Sequence, residues 1–183
     1  MQNEVLRTLS NRRSHRAYKT EQLSAEQLET LMTAAISSPS ANNHQPWHFS
    51  VVQDQALLNL INRESHKTAL TLPESYRSPR FASQDFHVFY HAPTVIFISS
   101  NEKKLLDCGI AVISIALAAE SIGLGSVILG LPGLAFQGGA KSELERVLQF
   151  PEGYSFSIAI AVGFPDDEKD PPVRDQQKVS IIR

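Results

Sequence analysis

Apolar positions recur along the chain in short blocks that predict about four strands mixed with helices. The clearest helix begins with a capping box formed by Ser24 and Gln27 and ends before Pro39, because a residue that precedes proline disfavours the helical region. Its apolar residues keep the three- and four-residue spacing of a helix face and are Leu28, Leu31, Met32, Ala35 and Ile36.

The remaining elements are predicted from the same spacing. Strands are expected at residues 47–52, 94–99, 126–129 and 156–162. A first amphipathic turn carries Val5, Leu6 and Leu9. A short helix that Asp54 can cap carries Leu57, Leu58 and Ile61. A nearly all-apolar helix is expected at 107–122, with Gly123 directly after its end. A last helix at 141–148 is expected to turn Leu144, Val147 and Leu148 inward. Residues 63–91 are predicted to be loop with at most one helical turn, and the mixture indicates an α+β or α/β domain.

Composition narrows the class of protein. The 183 residues read as one domain, 1–183, with 42% hydrophobic and 20% charged residues, which is typical of a globular protein. Lys+Arg 17 against Asp+Glu 19 gives a net charge of −2, which argues against nucleic acid or an anionic membrane as partner. The longest nearly apolar run, 108–119, is shorter than the roughly 18 residues of a membrane span, and the first residues lack the pattern of a signal peptide. A cytoplasmic location is therefore expected.

A cluster of cations follows the first predicted turn, in the run Arg12-Arg13-Ser14-His15-Arg16. The arginine guanidinium offers a rigid fork of donors that suits phosphate, and serine adds a hydroxyl. The competing interpretation is a solvated basic patch, because cations also complement the end of a helix. Composition alone favours the solvated patch.

A second run is dense in hydrogen-bonding groups, Ser38-Pro39-Ser40-Ala41-Asn42-Asn43-His44-Gln45-Pro46-Trp47-His48-Phe49. It joins a well-formed helix to a buried strand, which is a frequent position for a ligand site. Ordinary turn chemistry of Asn and Ser is the alternative. The density of amides favours the ligand site.

Other kinds of catalytic centre find little support. His44 and His48 are four residues apart, as are His87 and His91, but a proline interrupts the first pair and no carboxylate motif completes the second, so no metal site is expected. The single cysteine, Cys108, lies in the apolar helix, where a thiol is usually packing. No nucleophile elbow, dinucleotide fingerprint or phosphate-loop lysine is present. This profile is expected when a cofactor supplies the reactive atoms.

These two runs, together with later segments, resemble the nitroreductase family of FMN-dependent oxidoreductases. The later segments are Gly109-Ile110-Ala111, Leu124-Gly125-Ser126, Ile128-Leu129-Gly130 and Val162-Gly163-Phe164-Pro165. The resemblance implies an α+β, nitroreductase-like fold with a central mixed β-sheet flanked by helices. It also implies an intertwined homodimer that holds FMN at the subunit interface, with the tail, about residues 165–183, reaching the partner.

The resemblance assigns cofactor contacts and no catalytic side chain, because the flavin N5 carries the hydride. Arg12, Ser14 and Arg16 would hold the phosphate and ribityl chain, and Arg174 would return to the phosphate. The complete set of implied cofactor residues is Arg12, Arg13, Ser14, Arg16, Pro39, Ser40, Ala41, Asn43, Gln45, Ile128, Leu129, Gly130 and Arg174.

The activity implied by the resemblance is hydride transfer from NADH or NADPH through FMN to a small electron-poor acceptor, such as a nitroaromatic or a quinone, in a ping-pong reaction at one site. Three alternatives stay open. The chain could bind a phosphorylated ligand without catalysis, or it could be a flavoprotein of the same superfamily that performs reductive dehalogenation or flavin fragmentation. A metal-dependent hydrolase is the most distant.

Overall fold

The computed structural model describes residues 3–83, 85–101 and 104–183. In this part of the chain, five α-helices and one four-stranded sheet are joined by short 3₁₀ turns. The helices are α1 Glu4–Asn11, α2 Ala25–Ile36, α3 Gln55–Thr71, α4 Leu105–Ser121 and α5 Lys141–Val147. The strands are β1 Trp47–Val52, β2 Thr94–Ser100, β3 Gly125–Leu129 and β4 Ser155–Gly163.

The sheet has the strand order β1-β2-β4-β3, and each neighbouring pair is antiparallel. The predicted α+β class is confirmed, but the expected mixed sheet is wrong for the described strands, because only an isolated bridge between Ser14 and Ser126 is parallel. Both faces of the sheet are covered. Val95 and Phe97 of β2 pack into one core, and Ile96 and Ile98 pack into the other. This two-sided burial explains why positions 95–98 of β2 are all apolar instead of alternating.

The two faces carry different helices. α2 and α4 pack on one face, where Leu31, Ala111 and Ile115 are buried, and α3 and α5 pack on the other. The capping box of Ser24 and Gln27 is confirmed at the start of α2. Gly123 follows α4 with a φ of 78°, the left-handed conformation in which a glycine is least strained.

α3 differs from its prediction. It continues to Thr71, so the expected short helix and the expected loop at 63–91 are both wrong over residues 63–71. Its buried positions are Leu58, Ile61, Ser65 and Ala69, which keep the helical spacing. Ser65 and Ala69 are small and do not stand out as core residues, so the sequence does not show that this part of the helix is buried. Two 3₁₀ turns, Glu74–Tyr76 and Pro79–Ala82, occupy part of the remaining segment.

Several apolar side chains lie at the surface. Leu144 in α5 and Leu148 directly after it are buried as predicted, whereas Val147 is 39% exposed, so the prediction that it turns inward is wrong. The predicted apolar turn forms α1, but none of its residues is buried. The tail after β4 is also exposed, including Ile182. These side chains mark the surfaces that a single copy leaves uncovered.

Candidate functional site

The cationic run is fixed to the sheet by its backbone. The His15 N–H donates to the Ser126 carbonyl at 3.0 Å, at the start of β3. The Lys19 N–H donates to the Phe164 carbonyl at 2.9 Å, just beyond β4. Tyr18 is buried, and its hydroxyl donates to the His15 carbonyl at 2.9 Å. The segment therefore runs across one end of the sheet in a fixed conformation.

A partly buried contact between His15 and Asp167 adds a side-chain clamp. His15 Nδ1 lies 2.6 Å from Asp167 Oδ1, and the two side chains are 13% and 15% exposed. The second oxygen of Asp167 accepts the Arg16 N–H at 2.9 Å and lies 2.8 Å from Lys169 Nζ. Partial burial by itself raises the pKa of Asp167, but hydrogen bonds from Lys169, the Arg16 backbone and His15 outweigh it and lower the pKa to about 2. The clamp couples the cationic run to the beginning of the tail.

The arginines of the run have different surroundings. Arg13 turns back on α1, where its Nη1 donates to the carbonyls of Ser10, Asn11 and Arg12 at 2.6 to 3.0 Å. These are carbonyls of the helix end, which need donors. Arg13 Nε is buried with no hydrogen-bond partner among the described residues. Arg12 is half-buried and Arg16 is exposed.

Arg16 borders a cavity of about 750 Å³. Its walls come from the cationic run and from the segment before β2, and its lining is Arg16, Ala17, Tyr18, Arg80, Ser83, Asp85, Phe86, His87, Tyr90 and His91. The guanidinium carbons of Arg16 and Arg80 lie 5.8 and 4.9 Å from the centre of the Tyr90 ring. Two cations therefore share one aromatic ring at the cavity wall.

His87 holds the cavity wall in place. Its Nδ1 accepts the backbone N–H groups of Phe89 at 3.3 Å and His91 at 3.2 Å, so the proton resides on Nε2, which donates to Asn59 Oδ1 at 3.2 Å. Burial, with a smaller contribution from His91, lowers the pKa of His87 to about 4. The rings of His87 and His91 stack at 4.1 Å. Tyr90 and His91 have φ values of 55° and 56°, which are unusual for residues with a side chain and cluster at functional sites.

The amide-rich run lies at the opposite end of the sheet. It leads into Trp47, which pairs with Ser100 at the far end of β2. The N–H of Ala41 donates to Asp107 Oδ1 at 3.2 Å, and Ser40 Oγ accepts the N–H of Gln45 at 2.9 Å. Three of its residues have positive φ, and all side chains from 41 to 45 are exposed.

The third predicted segment, Ile128 to Gly130, belongs to the same end of the molecule as the amide-rich run. Ile128 lines a cavity of about 280 Å³, and Gly130 lines one of about 390 Å³. Leu105, at the start of α4, lines both cavities. One copy of the chain therefore groups these residues around the start of α4, where Asp107 also holds the amide-rich run.

The predicted site residues thus fall into separate groups within one chain. Arg12, Ser14 and Arg16 lie where β3 begins and β4 ends, away from the amide-rich run. Arg174 lies in the exposed tail. The two histidine pairs with four-residue spacing lie outside helices, since His48 is in β1, as predicted, and the rings of His87 and His91 stack in the segment before β2.

Five residues of these sites were not predicted from the sequence, namely Arg80, His87, Tyr90, Asp107 and Asp167. His87 was considered as a metal ligand but was not assigned to the site, and the others stand in segments without a recognisable motif. The proline-rich tail around Asp167 gave the only usable signal, because a polar segment after the last strand must lie on something to be ordered. Cys108 is buried in α4, and burial raises the pKa of its thiol, in agreement with the packing role predicted for it.

Comparison with known proteins identifies the class to which this arrangement belongs. The model of the nitroreductase family matches residues 9–164. The chain therefore belongs to the nitroreductase family, and the resemblance read from the sequence is confirmed. Among the described residues, no helix is long and apolar enough to cross a membrane.

Individual relatives agree with the family assignment. The chain is 32% identical over 173 residues to a protein of Archaeoglobus fulgidus named as an NADH dehydrogenase/NAD(P)H nitroreductase, covering 91% of this chain and 88% of the relative. It is 28% identical over 168 residues to an iodotyrosine deiodinase of Thermotoga neapolitana, covering 86% and 87%. A crystal structure of a nitroreductase with bound FMN from Desulfitobacterium hafniense superimposes with a TM-score of 0.94 at 34% identity, covering 100% of both chains.

Proposed function

We propose that this protein oxidises NADH or NADPH and reduces a small electron-poor acceptor, such as a nitroaromatic compound or a quinone. The broader class, an FMN-dependent oxidoreductase, rests on the family match over residues 9–164 and on the FMN-containing structural neighbour. FMN, when bound, supplies the redox chemistry by taking a hydride from the nicotinamide and passing electrons to the acceptor. The side chains of this protein bind the cofactor, orient it and shield it from water.

The residues present suit such a cofactor. The cavity beside Arg16 has a volume of about 750 Å³, within the range of roughly 300–1,000 Å³ typical of small-molecule sites. Its aromatic walls suit a flat ring, Arg16 lines it, and Arg12 lies on the same cationic run, so that both can offer guanidinium donors to a phosphate. The observation that carries the proposal is that these arginines stand on a segment clamped to the sheet through His15 and Asp167. The backbone that carries these donors is already in place before the ligand arrives, which lowers the cost of ordering the site.

We further propose that two copies complete the site. The amide-rich run and the cationic run lie at opposite ends of the sheet in one chain, so a ligand that contacts both requires a second copy. Uncovered apolar side chains support this arrangement: Leu106 is 80% exposed on α4, and Val173 is 98% exposed in the tail that carries Arg174. Light scattering on the eluted protein is expected to give twice the 20.2 kDa of one chain. A monomer that binds FMN would overturn the proposed homodimer.

Reductive dehalogenation is the second candidate, because the iodotyrosine deiodinase relative covers most of this chain. Reductive dehalogenation and the reduction of a quinone or nitroaromatic can be distinguished by the acceptor that reoxidises the reduced protein. Anaerobic protein reduced with NADPH or dithionite is mixed with a quinone, a nitroaromatic or 3-iodotyrosine, and reoxidation is followed by absorbance. Reoxidation by the quinone or nitroaromatic supports the proposal, whereas reoxidation only by 3-iodotyrosine with iodide release supports the alternative.

An absorption spectrum tests cofactor binding directly. The purified protein, or protein incubated with excess FMN, is expected to show bound flavin that NADH or NADPH bleaches without oxygen. The double substitution Arg12→Ala with Arg16→Ala is expected to raise the FMN dissociation constant on the order of 100-fold, because two charge-assisted contacts are lost. Arg63→Ala, an exposed arginine on α3, is the matched control. Protein that stays colourless with excess FMN rules out the proposed function, and unchanged affinity in the double variant refutes the role of these arginines.

A further inference from the structure

The cavity contains a second arginine besides Arg16, because Arg80 reaches it from a different element of the chain. We propose that Arg80 selects acceptors that are aromatic and negatively charged, such as arenecarboxylates, arenesulfonates or acidic phenols. The inference rests on the proposed oxidoreductase function and specifies the class of acceptor.

Arg80 is held at its base and along its side chain. It belongs to the 3₁₀ turn Pro79–Ala82, which the buried Phe81 anchors and whose Phe81 carbonyl lies 2.7 Å from His66 Nε2. Arg80 Nη1 donates to the Tyr90 hydroxyl at 2.6 Å, and its guanidinium carbon lies 5.4 Å from the centre of the Phe86 ring. A guanidinium has five N–H donors, so this contact leaves others available for a ligand oxygen.

The partner that orients Arg80 is itself fixed. Tyr90 occupies a left-handed conformation, and its N–H donates to the His87 carbonyl at 3.1 Å. His87 also receives the His91 N–H, so the turn is held on both sides of Tyr90. A guanidinium supported by such a residue is positioned in advance and does not have to be ordered by each ligand.

The charge balance of the cavity favours an anion. Arg16 and Arg80 line it as two guanidinium groups, whereas Asp85 is its one lining carboxylate among the described residues. His87 is neutral near pH 7, and Asp167 is engaged by His15 and Lys169 outside the lining. The aromatic faces of Phe86 and Tyr90 favour a flat ligand, and two guanidinium groups against one carboxylate leave a surplus of positive charge that attracts anions.

Arg80 is assigned to the acceptor because Arg80 and Arg16 belong to different segments of the chain. Arg16 belongs to the cationic run that Asp167 clamps, together with Arg12 and Ser14. Arg80 belongs to the segment before β2 and contacts the same tyrosine ring from its own turn. The first cation therefore goes with the phosphate-binding run, and the second is available to another ligand of the same cavity.

The test compares two acceptors of nearly equal size, 4-nitrobenzoate and the neutral 4-nitrobenzyl alcohol, at saturating NADPH or NADH. Arg80→Gln is expected to raise KM for 4-nitrobenzoate about tenfold, as for one lost charge-assisted contact, and to change KM for the alcohol less than about twofold. Arg80→Lys, which keeps the charge, is expected to recover part of the preference. Arg77→Gln removes the same charge from an exposed position three residues earlier and is expected to match the unmodified protein.

Flavin affinity, measured by fluorescence titration of the apoprotein, separates the possible outcomes. The inference requires that Arg80→Gln bind FMN within about twofold of the unmodified protein. Equal shifts of KM for both acceptors would overturn it, as would a tenfold loss of FMN affinity with the preference for 4-nitrobenzoate intact, since Arg80 would then serve the cofactor. Unmodified protein that binds no FMN defeats the proposed function and this inference together, whereas a flavoprotein without preference for the anion defeats only the inference.

Discussion

At the end of the sheet where β3 begins, the cationic run is hydrogen-bonded through its own backbone and through Asp167, and the cavity wall beside it is held by His87. At the opposite end, the amide-rich run is attached through Asp107, through the bond of Ser38 to Ser114 and through its own residues in β1, and it contains three non-glycine residues with positive φ. The first end is built by contacts within one chain. The second presents exposed side chains that one chain leaves without a covering surface.

The difference suggests a division of tasks between the two ends. A phosphate-binding segment needs donors fixed in advance, and buried hydrogen bonds provide that rigidity. A segment completed by a second copy must stay exposed until the copies meet, and its strained turns keep its groups at the surface. Substitutions at the first end should therefore lower the stability of a single chain more than substitutions at the second.

The largest effect is expected from pH at His87. Because its pKa in the folded protein, about 4, lies below the unfolded value, the unfolded chain takes up a proton first as pH falls. Stability should therefore be greatest above pH 6.5 and decline by about 3 kcal/mol as pH falls from 6.5 towards 4. His87→Gln should flatten this part of the curve of unfolding free energy against pH, measured with urea. His44→Gln, an exposed histidine in the amide-rich run, is the matched control, and equal curves for His87→Gln and the unmodified protein would contradict the role of His87.

The clamp between His15 and Asp167 should give the next largest effect. The pKa of Asp167 falls from 3.8 to about 2 on folding, so its contribution is complete above pH 4 and is lost as pH falls through about 2. Asp167→Asn should cost about 2 kcal/mol at pH 7 and weaken FMN binding, because Arg16 is then held less firmly. Asp166→Asn, at an exposed neighbouring position, should change neither quantity. Urea unfolding measures the stability, and flavin titration measures the affinity for FMN. Equal results for Asp167→Asn and Asp166→Asn would disprove the clamp.

At the other end, Asp107→Ala should have a smaller effect on stability. It leaves the Ala41 N–H without its acceptor, a loss of about 1–2 kcal/mol. Asp107→Asn keeps an oxygen acceptor and is expected to recover most of that loss. Thermal unfolding measures both variants. A cost for Asp107→Ala larger than that of Asp167→Asn would reverse the comparison between the two ends.

The smallest effect is expected where backbone strain is released. Gln45 and Gln149 have φ values of 46° and 56°, so replacing either with glycine should stabilise the protein by about 0.5 kcal/mol after the entropic cost of glycine. Only Gln45→Gly should also weaken FMN binding, since Gln149 lies outside the proposed site. Differential scanning calorimetry measures the change in stability, and flavin titration measures the change in FMN affinity. Equal FMN affinity for the two variants would remove Gln45 from the site.

Prediction from the sequence succeeded where a local pattern carried the information. The start of α2 was predicted from its capping box, and β1 and β2 from their apolar runs, all of which the structure confirms within a residue or two. It failed for the second half of α3, where Ser65 and Ala69 are buried although neither looks like a core residue. Small side chains are selected there by the closeness of the neighbouring segment, which local spacing does not report.

The sequence by itself determined the family, the α+β class and the two runs from which we propose that the site is assembled, because each depends on residues that are neighbours in the chain. Tertiary structure alone decided that Asp167 clamps His15 across 151 intervening positions, that Arg80 and Arg16 meet on Tyr90, and that the two runs lie at opposite ends of the sheet. Contacts of that kind depend on how helices and strands pack in space, and packing brings together residues whose separation along the chain carries no periodic signal.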